Sequence, residues 1–392
     1  MRVTAVTVLR LAAPLARPFS WASGTARERR AILVRVATDA GLVGWGETLR
    51  PASGRLVERT LGPLLVGELL GEDAEQRDAV RARLRAALSG MEVAPVDAAS
   101  ALGAVDIALW DLAGKVQGVP LHRLLGPLGE TATAQVEVYA SGLYYDETGE
   151  RSLDEEAEEA AAYRESGFRA VKMKIGRASL AEDRRRVAAV RRALGGDVLL
   201  LADANQAYDT AAAREMGAVL ADSGAYWFEE PLPMDRREDY RALASSLPVL
   251  LAAGENLPGE ELAHFLDGRL IGVAQPNVAN VGGVAEARTV AETAAARGIP
   301  LSFHGWGSAV LFSATVHLAA CLGARAVVPG VPGRQPLPPG VELDCTENPL
   351  RDALWPGALD GRGGTVAVPQ GPGLGVDLDE TALERWRVPL DV

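Results

Sequence analysis

Three carboxylates recur at an even spacing through the middle of the chain. Each follows a short apolar run, and the residues are Asp203, Glu229 and Glu255, separated by equal intervals (229 − 203 and 255 − 229, both 26). One strand–helix unit of a parallel barrel has about this length. We therefore expect the three acids at the same end of three consecutive strands, where barrel enzymes carry their chemistry. Three such oxygen ligands suit Mg²⁺, and Mn²⁺ would accept the same donors.

Two lysines precede these acids at the end of another apolar run. Lys172 and Lys174 lie two residues apart, so alternation along a strand places both side chains on one face. Together with a bound metal they predict abstraction of the proton next to a substrate carboxylate or lactone carbonyl through an enediolate. A lysine base near neutral pH needs a lowered pKa, which a second lysine and a divalent cation would produce.

Simpler interpretations exist for each of these residues taken alone. An acid at a strand end can be only the N-cap of the next helix, and lysines on a half-exposed strand can be surface residues. The combination of three acids with two lysines favours a catalytic site over both alternatives. The histidines at 122, 264 and 317 lie in helical or loop contexts, and we interpret them as structural.

Composition limits the class of protein. A chain of 392 residues predicts two domains, and 48% apolar with 23% charged residues is ordinary for a globular protein. The net charge of −12 argues against nucleic-acid or anionic-membrane partners. Cys321 and Cys345 lack metal-site spacing and do not predict a disulfide framework. With no export signal or membrane-length apolar run, the sequence predicts a cytoplasmic protein.

The pattern of apolar residues divides the chain into two parts and a tail. Residues 1–128 predict an α+β domain, with strands at 3–11, 30–38 and 42–48 and helices at 58–70, 74–88 and 96–115. Residues 129–372 alternate strands and helices, and residues 373–392 are expected to pack back on the first domain. A Pro/Gly-rich stretch at 328–340 predicts a long loop, of the kind used as a lid or a subunit contact.

The second part predicts a parallel barrel. Its strands are predicted at 134–140, 169–175, 198–203, 226–229, 249–253, 271–275, 300–303 and 341–344. Helices between them are predicted, for instance, at 152–166, 179–194, 210–223, 282–297 and 308–321. This alternation is typical of βα units.

The order and spacing of these motifs resemble the enolase superfamily, in its mandelate racemase branch. The resembling segments are 43–47, 105–115 and 118–126 in the first domain, and Lys172-x-Lys174, Asp203-Ala-Asn205, Glu229-Glu-Pro231, Gly254-Glu-Asn256, Gly282-Gly283 and His304 in the second. The resemblance covers nearly the whole chain. It implies an α/β fold, a modified (β/α)₇β TIM-type barrel with an N-terminal α+β capping domain. It also implies a homo-oligomer, from dimer to octamer.

The resemblance assigns roles by position. Asp203, Glu229 and Glu255 would bind Mg²⁺, and Lys174 would be the base on one face of the substrate, with Lys172 lowering its pKa and touching the substrate carboxylate. On the opposite face, the acid/base would be His304. Two more residues complete this set. Glu342 would donate to or accept from the substrate carboxylate through a hydrogen bond, and Asn205 would contact either the metal-binding acids or the substrate.

One position departs from the family pattern. Many relatives carry an aspartate after the sixth strand as the partner of the catalytic histidine, whereas this chain has Asn277 there. Asparagine can orient the ring of His304 but cannot stabilise an imidazolium by charge, so we expect a weaker base. Racemisation needs good acid/base groups on both faces. The substitution therefore favours a one-base reaction with Lys174, or an elimination with His304 as the acid.

The segments 303–308 and 342–351 resemble sugar-acid lactone cycloisomerases of this branch, of the galactarolactone type. The leading hypothesis is therefore β-elimination that opens the lactone of an aldaric acid. An acid-sugar dehydratase giving a 2-keto-3-deoxy acid is the first alternative, because only the leaving group differs. A racemase or epimerase, and a non-catalytic metal-binding paralogue, are further alternatives.

Specificity is expected from the first domain. Loops at 17–25 and 48–54 could cover the mouth of the barrel. Trp21, Arg50 and Trp306 are candidates to line the pocket, and Asn277 is a further candidate contact. An arginine there would suit the second carboxylate of an aldaric acid.

Overall fold

The computed structural model describes residues 1–70, 74–127, 132–148, 151–322, 340–356, 360–361 and 363–389. Of the stretch predicted as a long loop, only residue 340 belongs to this part, and the rest of that prediction lies outside the described residues. Within the described residues, no helix combines the length and the apolar character needed to cross a bilayer.

An antiparallel meander forms the sheet of the capping domain. Its strands are β1 (Val3–Trp21), β2 (Gly24–Thr38) and β3 (Val43–Thr48), with β2 in the centre. The first two strands are longer than predicted, so the segment 17–25 is the end of a β-hairpin rather than an irregular loop. Glycine is needed at this turn because a Cβ atom at position 24 would lie 2.7 Å from the Trp21 ring.

Helices cover one face of this sheet. They are α1 (Pro51–Leu56), a π-helical turn (Val57–Leu61), α2 (Gly62–Leu65), α3 (Ala74–Leu88), α4 (Pro95–Gln117) and α5 (Leu121–Leu125). The long helix α4 is almost wholly buried from Ser100 to Gly114. Two glycines allow β3 to approach it closely, since a Cβ atom at Gly46 would lie 1.8 Å from the carbonyl oxygen of Ala104. This contact explains the Gly-Trp-Gly pattern of the strand.

The rest of the chain builds the barrel. Its strands are β4 (Gln135–Ser141), β6 (Ala170–Lys174), β7 (Leu199–Asp203), β8 (Trp227–Glu229), β9 (Leu250–Ala253), β10 (Val273–Ala274) and β11 (Val341–Asp344), while β5 (Tyr145–Asp146) extends the cap sheet beside β1. The eighth barrel segment, predicted at 300–303, joins by isolated bridges from Leu301 to Ala274 and from Phe303 to Val341. The pairings among these barrel segments are parallel, which confirms the predicted (β/α)₇β barrel.

Helices surround the barrel and begin close to where the sequence predicts them. They are α6 (Leu153–Glu165), α7 (Leu180–Leu194), α8 (Thr210–Asp222), α9 (Arg237–Ser246), α10 (Gly259–Asp267), α11 (Val284–Ala296) and α12 (Ala309–Leu322). Side-chain N-caps set the first three starts, because Ser152, Ser179 and Asp209 each accept a backbone N–H from the first turn.

The end of the chain returns to the cap. After α13 (Pro349–Asp352), β12 (Thr365–Ala367) and α14 (Glu380–Arg385), the backbone runs along the free edge of β1. Ala12 N–H donates to the carbonyl of Trp386, and Val388 N–H donates to the carbonyl of Arg10, both at 2.9 Å. The last described residues therefore pair with the cap sheet.

Candidate active site

Strand register brings the predicted site residues together. Lys174 lies opposite Asp203 on the neighbouring strand, and Asp203 lies opposite Glu229 on the next. Residues at equal height in a parallel sheet point to the same side, so these three side chains meet inside the barrel. Glu255 follows the end of β9 by two residues and reaches the same place.

The three acids form one cluster. Asp203, Glu229 and Glu255 each offer a carboxylate oxygen, and these oxygens lie within 4.8 Å of one another. Burial, together with the nearby charge of Asp203, raises the pKa of Glu229 to about 8. Such crowding of buried anions is costly unless a cation shares the site.

Side-chain amides donate hydrogen bonds to two of the three acids, Glu229 and Glu255. Gln275 Nε2 donates to Glu229 Oε2 at 2.7 Å, and Asn256 Nδ2 donates to Glu255 Oε1 at 3.1 Å. The other oxygen of Glu255, Oε2, is buried and lies 3.0 Å from Nε2 of His304. A hard divalent cation fits this set of oxygen donors, because three carboxylates converge there and oxygen anions are the ligands that such a cation prefers.

The backbone beside the acids is in an uncommon conformation. Asn205 and Glu230, the residues two after Asp203 and one after Glu229, have φ of 42° and 36°. Non-glycine residues rarely adopt positive φ, and such outliers cluster at functional sites. Here the conformation turns Asn205 toward the cavity, which it lines.

The two lysines occupy different environments. Lys172 is completely buried, and its Nζ lies 2.8 Å from Glu229 Oε1 and 2.9 Å from Glu342 Oε1. Lys174 contacts Asp203 and lines the cavity. Although burial lowers the pKa of each lysine, the adjacent carboxylates outweigh burial and raise both pKa values. The sequence predicted a lowered pKa for Lys174, and that direction is wrong for the protein as described. The pKa is raised because the Asp203 carboxylate contacts the ammonium group.

His304 is fixed by Asn277 in a defined direction. The side-chain oxygen of Asn277 accepts the backbone N–H groups of Ala279 at 3.0 Å and Asn280 at 3.1 Å. Its Nδ2 must therefore face His304, and it lies 2.9 Å from Nδ1 of the ring. An amide nitrogen only donates, so Nδ1 is the acceptor and the neutral ring carries its proton on Nε2.

The other side of His304 faces carboxylates that the sequence analysis did not pair with it. Nε2 lies 3.0 Å from Glu255 Oε2 and 3.8 Å from Glu342 Oε2. Burial lowers the pKa of His304, but these two acids outweigh burial and raise it. The raised pKa runs against the expectation of a weaker base, which considered only Asn277 and not Glu255 and Glu342.

A cavity of about 190 Å³ opens over the cluster. Its lining combines predicted residues with others, namely Trp21, Leu49, Arg50, Tyr144, Lys174, Asn205, Glu255, Asn256, Asn280, His304 and Trp306. Asn277 and Glu342 are buried and lie outside this lining. Both contact His304 rather than the cavity. Arg50 donates through Nε to Asp97 at 2.5 Å, which orients its guanidinium at the rim.

An aromatic wall closes one side of the cavity. The Trp21 and Trp306 rings lie 6.1 Å apart, and Tyr144 packs 6.3 Å from Trp306. Arg29 supports this wall, with its guanidinium 4.2 Å from the Trp306 ring and an ion pair to Asp344 at 2.5 Å. Sequence reasoning missed Arg29, since nothing local marks an arginine of a cap strand as a contact of a barrel residue.

Comparison with known proteins agrees with this geometry. The chain matches the profile of the mandelate racemase/muconate lactonizing enzyme N-terminal domain over residues 3–126 and that of the enolase C-terminal domain-like family over residues 155–382. It is 34% identical over 390 residues to the D-galactarolactone cycloisomerase of Agrobacterium fabrum, covering 99% of this chain and 100% of the relative.

Two further relatives extend the range of named activities. The arabinonate dehydratase of Saccharolobus solfataricus is 30% identical, with 91% of this chain and 90% of the relative covered. A crystal structure of an L-talarate/galactarate dehydratase mutant, liganded with Mg and L-glucarate, superposes with a TM-score of 0.81 at 28% identity, covering 99% of this chain and 92% of that one. The chain is therefore an enzyme of the enolase superfamily and belongs to its mandelate racemase/muconate lactonizing enzyme family.

Proposed function

We propose that this enzyme removes the proton next to the carboxylate of a sugar acid or its lactone and completes a β-elimination. The preferred reaction is the opening of an aldaric acid lactone. The observation that carries this proposal is the placement of Lys174 and His304 in the lining of one cavity, beside the acid cluster. The proposed substrate therefore lies between two proton-transfer groups.

The acids Asp203, Glu229 and Glu255 would hold Mg²⁺, or Mn²⁺ with the same donors. A cation bound there would polarise the substrate carboxylate and acidify the neighbouring C–H bond. The metal would also draw the charge of Asp203 away from Lys174, which would lower the pKa of that lysine toward the range of a base.

The two lysines take separate roles in this proposal. Lys174 faces the cavity and is the base that takes the α-proton. Lys172 is fully buried between Glu229 and Glu342, which hold it protonated. It therefore acts as a fixed positive charge, and Glu342 is assigned to hold it in place rather than to touch the substrate.

The tautomer of His304 favours elimination. Because Asn277 donates to Nδ1, the neutral ring presents an N–H at Nε2, the nitrogen nearer Glu255. This group can give a proton but cannot accept one without first losing its own. Racemisation needs a base on each face of the substrate in turn, so the geometry supports that reaction less well than elimination.

The aromatic wall favours a cyclic substrate. Trp21, Tyr144 and Trp306 contribute aromatic rings to the lining, and flat apolar surfaces suit the C–H face of a small ring. Arg50 at the rim would bind a second carboxylate through its terminal nitrogens. The D-galactarolactone cycloisomerase relative matches 99% of this chain, and its named activity supports the choice of a lactone as substrate.

An acid-sugar dehydratase is the second candidate. The same base and acid would expel a hydroxyl group as water, and the arabinonate dehydratase relative supports this reading. A racemase and a non-catalytic metal-binding paralogue have less support from the site. We further propose a homo-oligomer, from dimer to octamer, with a sugar acid or its lactone as the small-molecule partner.

One experiment separates these candidates. The protein is incubated with Mg²⁺ in D₂O against hexaric, hexuronic and aldonic acids and their lactones, and products are followed by proton NMR. We expect a new 3-deoxy signal from a lactone of an aldaric acid, and none with Lys174→Ala. A signal only from open-chain acids would establish the dehydratase. Exchange of the α-proton without elimination would establish the racemase, and silence with bound Mg²⁺ would contradict all three.

A further inference from the structure

A second cavity lies in the capping domain, apart from the acid cluster. It has a volume of about 390 Å³, within the range of small-molecule sites, and lies between the cap sheet, helix α1 and the returning end of the chain. Three arginines line it, Arg10, Arg30 and Arg55, against a lone glutamate, Glu28. A cationic cavity is unexpected in a chain with a net charge of −12.

Strand pairing explains how these charges converge. Arg10 lies opposite Ile32, and Ala12 lies opposite Arg30, in the antiparallel register of β1 and β2. Directly opposed residues share a face, and so do residues two apart, so Arg10 and Arg30 project from the same face of the sheet. Arg55, in the last turn of α1, completes the lining from above this face.

Arg10 is the informative residue. It is only 8% exposed, and its Nε is buried without a hydrogen-bond partner in the part of the chain that the structure describes. No carboxylate of those residues forms an ion pair with it, whereas Arg30 is paired with Glu28 at 2.6 Å. A buried guanidinium nitrogen without a partner is costly, so its retention calls for an acceptor that none of the described residues supplies.

The neighbouring residues describe the rest of the ligand. Ile32, Leu49, Pro51 and Val388 form apolar walls of the same cavity. Guanidinium groups bind carboxylates and phosphates through paired N–H donors, and the apolar walls favour a carbon body over a bare ion. Leu49 also lines the candidate active-site cavity, so one side chain separates the two spaces.

We infer that the capping domain carries a second binding site, in which Arg10, with Arg30 and Arg55, binds a small organic molecule bearing a carboxylate or phosphate group. The site is independent of the metal-binding acids and of the proposed reaction. Its ligand would lie directly behind Leu49 and Arg50 at the rim of the candidate active site.

Calorimetric titration tests this inference. The probes are succinate, phenyl phosphate and inorganic phosphate, added at low ionic strength in the presence of a metal chelator. We expect succinate or phenyl phosphate to bind the unaltered protein and Lys174→Ala equally, which excludes the barrel cavity. Arg10→Met, which keeps side-chain length and removes the charge, is expected to weaken binding at least tenfold. Arg83→Met, which removes a half-exposed arginine of α3 that lies outside the cavity, is the matched control and should change nothing.

Thermal unfolding supplies a second readout. Without anion, Arg10→Met is expected to melt at the same temperature as the unaltered protein or higher, because an unpaired buried charge has been removed. With the probe present, only the unaltered protein should gain stability. If Arg10→Met does not fold, the exposed Arg55→Met takes its place and should weaken binding several-fold. Absence of binding, binding of inorganic phosphate alone, or unchanged binding by these variants would overturn the inference.

Discussion

Glu47 of the cap accepts three hydrogen bonds from the first turn of the barrel helix α12. Its carboxylate receives Ser308 N–H at 2.8 Å, Ser308 Oγ–H at 2.6 Å and Leu311 N–H at 2.9 Å. A negative charge at a helix N-terminus is stabilising, and this one is wholly buried. The contact lies immediately after the segment that carries His304 and Trp306, so a cap residue holds the barrel loop that carries the proposed acid.

Glu47→Gln should destabilise the protein by about 1–3 kcal/mol, because an amide nitrogen would face buried donors that need an acceptor. Urea unfolding measures the loss. Activity should fall as well, since the loop with His304 ends at the same place. Glu92→Gln, an exposed cap residue, is the control. Equal stability of the two variants would contradict the capping role.

Asn277→Asp should change which proton transfers His304 performs. An aspartate would accept Nδ1–H, so that Nε2 becomes an unprotonated base, while its second oxygen could still accept Ala279 N–H. We expect new exchange of the substrate α-proton with solvent and a loss of elimination on the order of tenfold to a hundredfold. Proton NMR of recovered substrate in D₂O measures both. If elimination is unchanged and no exchange appears, the tautomer is not set by Asn277.

Mg²⁺ should stabilise the folded protein, because it relieves repulsion among the three acids. At a concentration about 100-fold above Kd, the expected gain is about 2.7 kcal/mol, read from thermal or urea unfolding. Glu255→Gln should lose most of this gain, whereas Glu260→Gln, whose side chain is 83% exposed, should keep it. A Mg²⁺ effect of the same size in both variants would place the metal elsewhere.

His317 should make stability depend on pH. Burial, with His122 beside it, lowers the pKa of His317 from 6.5 to about 3, and its Nε2 lies 3.1 Å from the carbonyl oxygen of Leu374. A lowered pKa means that the folded state resists protonation. The contribution is therefore complete above pH 6.5 and is lost as the pH falls toward 3, by about 5 kcal/mol at most.

Urea unfolding between pH 4 and 8 tests this dependence. His317→Gln should flatten the decline on the acid side, even if it lowers stability at pH 8. His264→Gln, at an exposed position, should leave the slope as it is. A slope that survives in His317→Gln would assign the acid sensitivity to other groups. The interpretation of His122 and His317 as structural agrees with their buried, stacked rings, whose centroids are 5.3 Å apart.

Much of the barrel could be predicted because the regular alternation of its strands and helices is visible in short stretches of sequence. Apolar runs, N-caps and equal spacing are properties of short segments, and α6, α7 and α8 begin within one residue of their predicted starts. The same alternation predicted Asp203, Glu229 and Glu255 at one end of three consecutive strands, and the structure brings their carboxylates together. The hairpin at 17–25 was wrongly predicted as a loop, since its register depends on Trp21 packing against Gly24.

Contacts between distant segments could not be predicted in the same way. Glu47 and Ser308 are 261 positions apart, and Arg29 and Asp344 are 315 apart. No periodicity relates such residues, because their meeting follows from how the cap docks on the barrel. Arg10 was also missed, since a single sequence does not reveal that its Nε lacks a hydrogen-bond partner among the described residues.

The short turn between β1 and β2 has a consequence for how this enzyme could diversify. It carries Trp21 to the cavity from a hairpin that contributes none of the acids or lysines. Insertions, deletions or substitutions in this turn would alter the shape of the cavity wall, while the acids and lysines of the barrel stay unchanged. Under the proposed function, changes there would alter selectivity without touching the proton-transfer residues, and laboratory evolution of new substrates could begin by randomising codons 21–24 alone.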